Sequence, residues 1–127
     1  MNAIDKLKQE LAYLQEHNRK WIESFNDCMR YQSRGIECEK VNDFSGAISA
    51  YRECLAHNEL VADIIGDLRC IYSVERLAII YRKMRLYDEE QQVLEYALKH
   101  ELSDKYRLKF LERYRKSMLL QAKSEGK

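Results

Sequence analysis

Four cysteines, three histidines and two charged clusters are the side chains of this chain that could do chemistry. The cysteines are Cys28, Cys38, Cys54 and Cys70. A structural zinc site usually draws its thiolates from pairs a few residues apart, and no two cysteines here are that close. Three of them fall among apolar helix positions, where a free thiol acts as a small hydrophobe. Neither a metal nor another cofactor is therefore expected. His57 and His100 are expected at equivalent helix ends, near exposed carbonyls, and His17 stands apart from both. Asp88, Glu89 and Glu90 cluster where a helix should begin, a place where acids favour the dipole. No Ser elbow, phosphate-cradling Gly loop or histidine-rich metal motif is present, and no nucleophile–base pair can be named. The sequence does not read as an enzyme.

The second cluster is basic. Between Ser103 and Ser117, Lys105, Arg107, Lys109, Arg113, Arg115 and Lys116 outnumber Asp104 and Glu112. With Tyr106, Phe110 and Tyr114 interleaved, this stretch could meet a nucleic acid. Those aromatics share one helical face, however, and are more simply core. A net charge of +1 also argues against a polyanion partner.

The elements that would position these groups are helices. The 127 residues are 46% apolar and 34% charged, a balance suited to one globular domain spanning 1–127. No Pro and only four Gly interrupt it. The opening MNAIDKLKQELAYLQ is charged and periodic rather than a secretion signal, and no apolar run approaches the ~18 residues of a membrane span. A cytoplasmic protein with no membrane partner is the expectation.

Ile4, Leu7, Leu11, Leu14, Asn18, Trp21, Phe25 and Cys28 recur at alternating spacings of three and four, one seam on one helix. This amphipathic helix should start near Asn2 or Ala3 and cover 1–27, and with no strong breaker between Asn26 and Arg34 it can continue to Val41. Val41-Asn42-Asp43 reads as a turn, with Ser45 as the cap of a second helix carrying Ala47, Ile48, Tyr51, Cys54 and Leu55. Leu60, Val61, Ile64 and Ile65 keep helical spacing, which allows that helix to run to Gly66. Asp67 is a candidate cap for a third helix, with Leu68, Ile71, Val74, Leu77, Ala78 and Tyr81 inward. Leu86-Tyr87 opens a second turn, Asp88 caps a fourth helix, and Val93, Leu94, Ala97 and Leu98 form its apolar face. A fifth helix over 101–122 starts at Ser103 or Asp104 and lines Tyr106, Phe110, Leu111, Tyr114 and Met118 on one side. Residues from Gln121, and 123–127 in particular, should fray. Tyr13, Tyr31, Tyr51, Tyr81 and Tyr96 should fill gaps between helices.

One segment occurs twice. Gly35–His57 and Ala78–His100 superpose with an offset of 43 residues. Gly35 then meets Ala78, Phe44-Ser45 meets Tyr87-Asp88, Tyr51 meets Leu94 and Cys54 meets Ala97. Each copy reads as a helix, a tight turn and a second helix.

Tyr31, Gly35, Ala47 and Tyr51 in the first copy, and Leu77, Ala78, Tyr81 and Ala97 in the second, resemble the pattern of the tetratricopeptide repeat. The copies depart from it at Arg34, Cys38, Val74, Glu90 and Leu94, and their offset exceeds the family's period of ~34. An extra turn or two after His57 would account for the excess. The resemblance implies an all-α fold of about five helices. Two antiparallel hairpins over 28–100 would be flanked by the N-terminal amphipathic helix and a C-terminal capping helix. It also implies a groove lined by the first helix of each hairpin. By position that lining is Gln32, Ile36, Glu39 and Lys40, with Tyr72, Glu75, Arg76, Ile79, Arg82 and Lys83. Gln32 and Ile36 replace the family's carboxylate clamp, so only Arg76, Arg82 and Lys83 could hold an acidic segment.

Three functions follow as expectations. The first is an adaptor that binds a peptide or helix of another protein in that groove. The second is a self-assembling protein that dimerises through Ile4, Leu7, Leu11, Leu14, Asn18 and Trp21, with Asn18 fixing the register. The third is a nucleic-acid accessory protein using the basic last helix.

Overall fold

The computed structural model describes residues 2–65 and 70–126, with backbone alone for 59–65. Among the described residues five helices follow one another: α1 (Ala3–Lys40), α2 (Phe44–Ile65), α3 (Ile71–Lys83), α4 (Tyr87–Leu98) and α5 (Asp104–Glu125). The all-α class is as expected. Each helix packs on the next, α1 on α2, α2 on α3, α3 on α4 and α4 on α5. The expectations for Gly66, Asp67 and Leu68, and for the side chains of Leu60, Val61, Ile64 and Ile65, lie outside the described residues.

The repeat is real at the level of backbone geometry. Asn42 and Arg85 both adopt left-handed backbone, with φ of 61° and 60°. At the first turn, Asp43 N–H donates to Cys38 O at 2.8 Å and Asn42 N–H to Glu39 O at 3.0 Å. At the second, Leu86 N–H donates to Tyr81 O at 2.8 Å and Arg85 N–H to Arg82 O at 3.0 Å. Both are Schellman turns, which satisfy the last carbonyls of a helix and reverse the chain. Asn suits the left-handed position; Arg85 bears a modest strain there.

Buried positions repeat with the same offset. Ala47, Tyr51 and Cys54 are fully enclosed, as are Glu90, Leu94 and Ala97. The main core joins Ala47 and Tyr51 to Val74, Leu77, Ala78, Ile80, Tyr81, Val93, Leu94, Ala97 and Phe110. Size is traded between the copies. A Cβ at Gly35 would lie 2.6 Å from Tyr51 Cδ1, so only Gly admits the large ring. At the matching positions Ala78 accompanies the smaller Leu94.

Several local expectations are corrected. The bound at 27 falls away, since α1 runs unbroken to Lys40 with Val41 as its cap, the reach to Val41 that the sequence allowed. Asp43 rather than Ser45 caps α2, its Oδ1 accepting from Gly46 N–H at 2.9 Å. Leu86 precedes α4, so Asp88 lies inside its first turn and accepts from Gln121 Nε2 at 2.6 Å. His57 lies inside α2, which continues through Ile65, whereas His100 lies beyond α4. The two histidines therefore do not share a helix end. With 22 residues, α2 is longer than its counterpart α4, with 12.

In α5, Phe110 and Ser117 face inward, while Leu111 and Met118 are 47% and 51% exposed. Those two sit one step off the Tyr106–Phe110–Ser117–Gln121 line, which α4 covers. The helix does not fray at 121 but persists to Glu125, tied to α4 through Gln121 and Gln91 at 3.0 Å. Tyr13 fills no gap among the described residues; it is 66% exposed on the outer part of α1 and stacks on His17.

Candidate functional site

Several of the residues expected to line a groove are already engaged within the chain, and Glu39 and Arg76 bind each other. Gln32 Oε1 accepts from Ser73 Oγ at 2.9 Å. Glu39 accepts from Tyr51 Oη at 2.8 Å and from Arg76 Nε and Nη2 at 3.0 and 2.9 Å. The Glu39 bond holds the Arg76 guanidinium more firmly protonated than usual. Burial, then the Glu39 carboxylate, raises the Tyr51 phenol above its ordinary range. Glu75 pairs with Lys109 of α5 at 2.8 Å. Arg82 reaches Glu90 at 2.8 Å and also donates to Arg113 O at 2.8 Å. Arg113 approaches the same carboxylate at 3.5 Å.

Two of the three cations proposed for an acidic segment, Arg76 and Arg82, thus already hold carboxylates of this chain. Lys83 is exposed at the end of α3, Lys40 pairs with Glu37 at 3.1 Å, and Ile36 and Ile79 are half-buried. Tyr72 is exposed, with its edge toward the Tyr51 ring. The α5 cations behave similarly, since Lys109 and Arg113 are engaged and Arg107 donates to Leu98 O at 3.2 Å. These pairs fasten α1, α3 and α5 side by side.

A long exposed apolar feature among the described residues is the first half of α1. Helix α1 has 38 residues and its hairpin partner α2 has 22. The turn sits at one end, so about four turns of α1, roughly 24 Å, extend past the end of α2. Asn2 Oδ1 accepts from Asp5 N–H at 2.9 Å and caps this arm. Arg19 bridges Glu16 and Glu23 along its outside. Ile4, Leu7, Leu11 and Leu14 are 62%, 64%, 56% and 53% exposed. Asn18 follows them, exposed, and Trp21 is half-buried where the arm joins the body. Continued into the body, the same seam reaches Cys28 and Gly35, both buried against α2. The arm therefore presents bare the face that the rest of α1 has covered.

Sequence reasoning missed a third feature. Cys28 of α1, Cys54 of α2 and Cys70, which precedes α3, are all buried and meet at one point. Their sulfurs lie within 4.8 Å of one another, with Cys54 and Cys70 3.0 Å apart. Cys28 Sγ also donates to Cys54 O at 3.3 Å. Hydrogen bonds with Cys28 and Cys70 lower the Cys54 thiol; the bond with Cys54 raises Cys28, and the bonds with Cys28 and then Cys54 raise Cys70. Spacing along the chain hides this trio, but the hairpin does not. Reversal at Asn42 sets positions 14 before it and 12 after it side by side, which are Cys28 and Cys54. Cys38 stands apart, half-buried near Gly46.

An open, mainly apolar cleft of about 310 Å³ lies between α2, α3 and α4, lined by Leu55, Leu77, Tyr81, Val93 and Tyr96 with Arg52 at its edge. Among the described residues no helix is long and apolar enough to cross a membrane. No protein-family model matches the sequence, and no curated protein or solved structure does either.

Proposed function

We propose that this chain is a non-enzymatic protein–protein interaction module whose α1 arm pairs two copies into a dimer. The bare seam of Ile4, Leu7, Leu11 and Leu14 carries the reading. Four large apolar side chains on one helical stripe gain by meeting a second stripe. Eight such side chains at about 1–2 kcal/mol each give on the order of 10 kcal/mol. Association costs at least about 4 kcal/mol, which leaves a dissociation constant of roughly tens of micromolar.

An antiparallel arrangement fits this body. From Cys28 onward the seam is occupied by α2, which itself runs antiparallel to α1. A second arm lying antiparallel on residues 4–14 would extend the line of α2, whereas a parallel one would run into its end. Ile4 would face Leu14 of the second copy, and Leu7 would face Leu11. Asn18 would mark the limit of the apolar stripe, discouraging slippage toward the body.

An adaptor that holds an acidic peptide in the α1–α3 groove is the weaker reading, because Arg76 and Arg82 already hold Glu39 and Glu90. A nucleic-acid role for α5 is weaker for the same reason. Light scattering of the full chain, compared with a form lacking Met1–Asn18, tests the proposal at roughly 200 µM, well above the expected dissociation constant. Two chains for the first and one for the second support it. One chain for both, at unchanged helicity, rejects self-pairing and leaves a helix of another protein as the occupant of the arm.

A further inference from the structure

We propose that Cys28, Cys54 and Cys70 form a binding site for a soft divalent cation of the zinc class, held by three thiolates. The trio comes from three successive elements, α1, α2 and the start of α3, and each residue is at most 1% exposed. Zinc–sulfur bonds of about 2.3 Å in tetrahedral array place sulfurs about 3.8 Å apart. The sulfurs here, 3.0 Å apart at Cys54–Cys70 and nowhere beyond 4.8 Å, bracket that spacing. Small side-chain rotations would centre an ion among them.

The donor set selects the ion. Sulfur ligands favour zinc-class and cuprous ions over the magnesium and calcium that prefer oxygen. Three thiolates around a divalent ion leave a residual charge of about −1, against about −2 around a cuprous ion. Burial makes the smaller charge the less costly. Among the described residues, two neutral oxygens are near enough to complete a fourth position. Asn58 is fully buried with Oδ1 3.9 Å from Cys70 Sγ, and Cys54 O lies 3.3 Å from Cys28 Sγ. Binding involves no electron transfer. Each thiol that becomes a ligand gives its proton to solvent and its lone pair to the metal. A bound ion would fasten α1, α2 and α3 at the root of the arm.

The experiment uses the full chain, reduced and metal-free, titrated with Co²⁺ and then with Zn²⁺. The expected result is a thiolate-to-cobalt charge-transfer band that saturates at one ion per chain and is displaced by Zn²⁺. Cys38→Ser keeps the band, whereas Cys54→Ser loses it. Should Cys54→Ser fail to fold, thiol alkylation of the unaltered chain decides. Zn²⁺ should then protect Cys28, Cys54 and Cys70 and leave Cys38 labelled. Absence of the band, its loss in Cys38→Ser, or equal labelling of the trio with and without Zn²⁺ overturns the proposal. Binding of a cuprous ion but not of Zn²⁺ overturns it equally.

Discussion

The ring of Tyr51 occupies the volume that any side chain at Gly35 would need, and its hydroxyl donates to Glu39 at 2.8 Å. One contact thereby joins α1 to α2 and, through the Glu39–Arg76 pair, to α3. The second copy replaces this glycine–tyrosine pair by Ala78 and Leu94.

Gly35→Ala should destabilise the protein despite the better helix propensity of Ala. The added methyl drives into a ring that is fully enclosed, an overpacking cost of about 1–3 kcal/mol, offset by about 1 kcal/mol of propensity. Urea denaturation should show a net loss of about 1 kcal/mol. Combining it with Tyr51→Leu, which imitates the second copy, should cost less than the two single losses added together.

Glu90 is fully buried between Arg82 and Arg113, whereas the matching position of the first copy is Ala47. Glu90→Ala makes the two copies alike but strands two guanidiniums. It should lower stability by about 3 kcal/mol, a fall in melting midpoint on the order of 10 °C. Replacing Glu90 and Arg82 together by Leu should cost less than Glu90→Ala alone. Calorimetry of the three proteins checks the order.

Burial and Glu39 hold the Tyr51 proton above the ordinary phenol range. The unfolded chain releases that proton near pH 10, so there it binds fewer protons than the folded one. The stabilisation is fully present below about pH 10 and is lost above it. Urea midpoints measured from pH 8 to 11 should therefore fall more steeply for the natural chain than for Tyr51→Phe.

Much of this fold is legible in the sequence. The spacing of Ile4 to Cys28 gives α1, and the duplicated segment gives two hairpins whose turns and buried positions coincide. Local end chemistry was less legible. Ser45 and Asp88 are good capping types, yet Asp43 and Leu86 hold those positions, because the two Schellman turns decide where each new helix starts. In α5, Leu111 and Met118 carry apolar weight without facing the core, since α4 covers a line one residue over. Of the residues expected to line a groove, Glu39 and Arg76 meet each other, while Gln32, Glu75 and Arg82 bind residues outside that set. Their partners were not foreseeable from spacing, because Glu39–Arg76 and Glu75–Lys109 join separate helices. The cysteine trio is hidden in the sequence because its members are far apart: the hairpin reversal pairs Cys28 with Cys54, and Cys70 joins them from the start of α3.

The central claim is that the bare stripe of α1 pairs two copies. Sedimentation equilibrium of the full chain, beside Leu7→Glu with Leu11→Glu, tests it directly, since both residues are more than half exposed and their replacement leaves the body intact. The account predicts the mass of two chains at roughly 200 µM for the natural sequence, and of one chain for the variant at unchanged body stability. A natural sequence that stays a single chain, or a variant that still pairs, would contradict it.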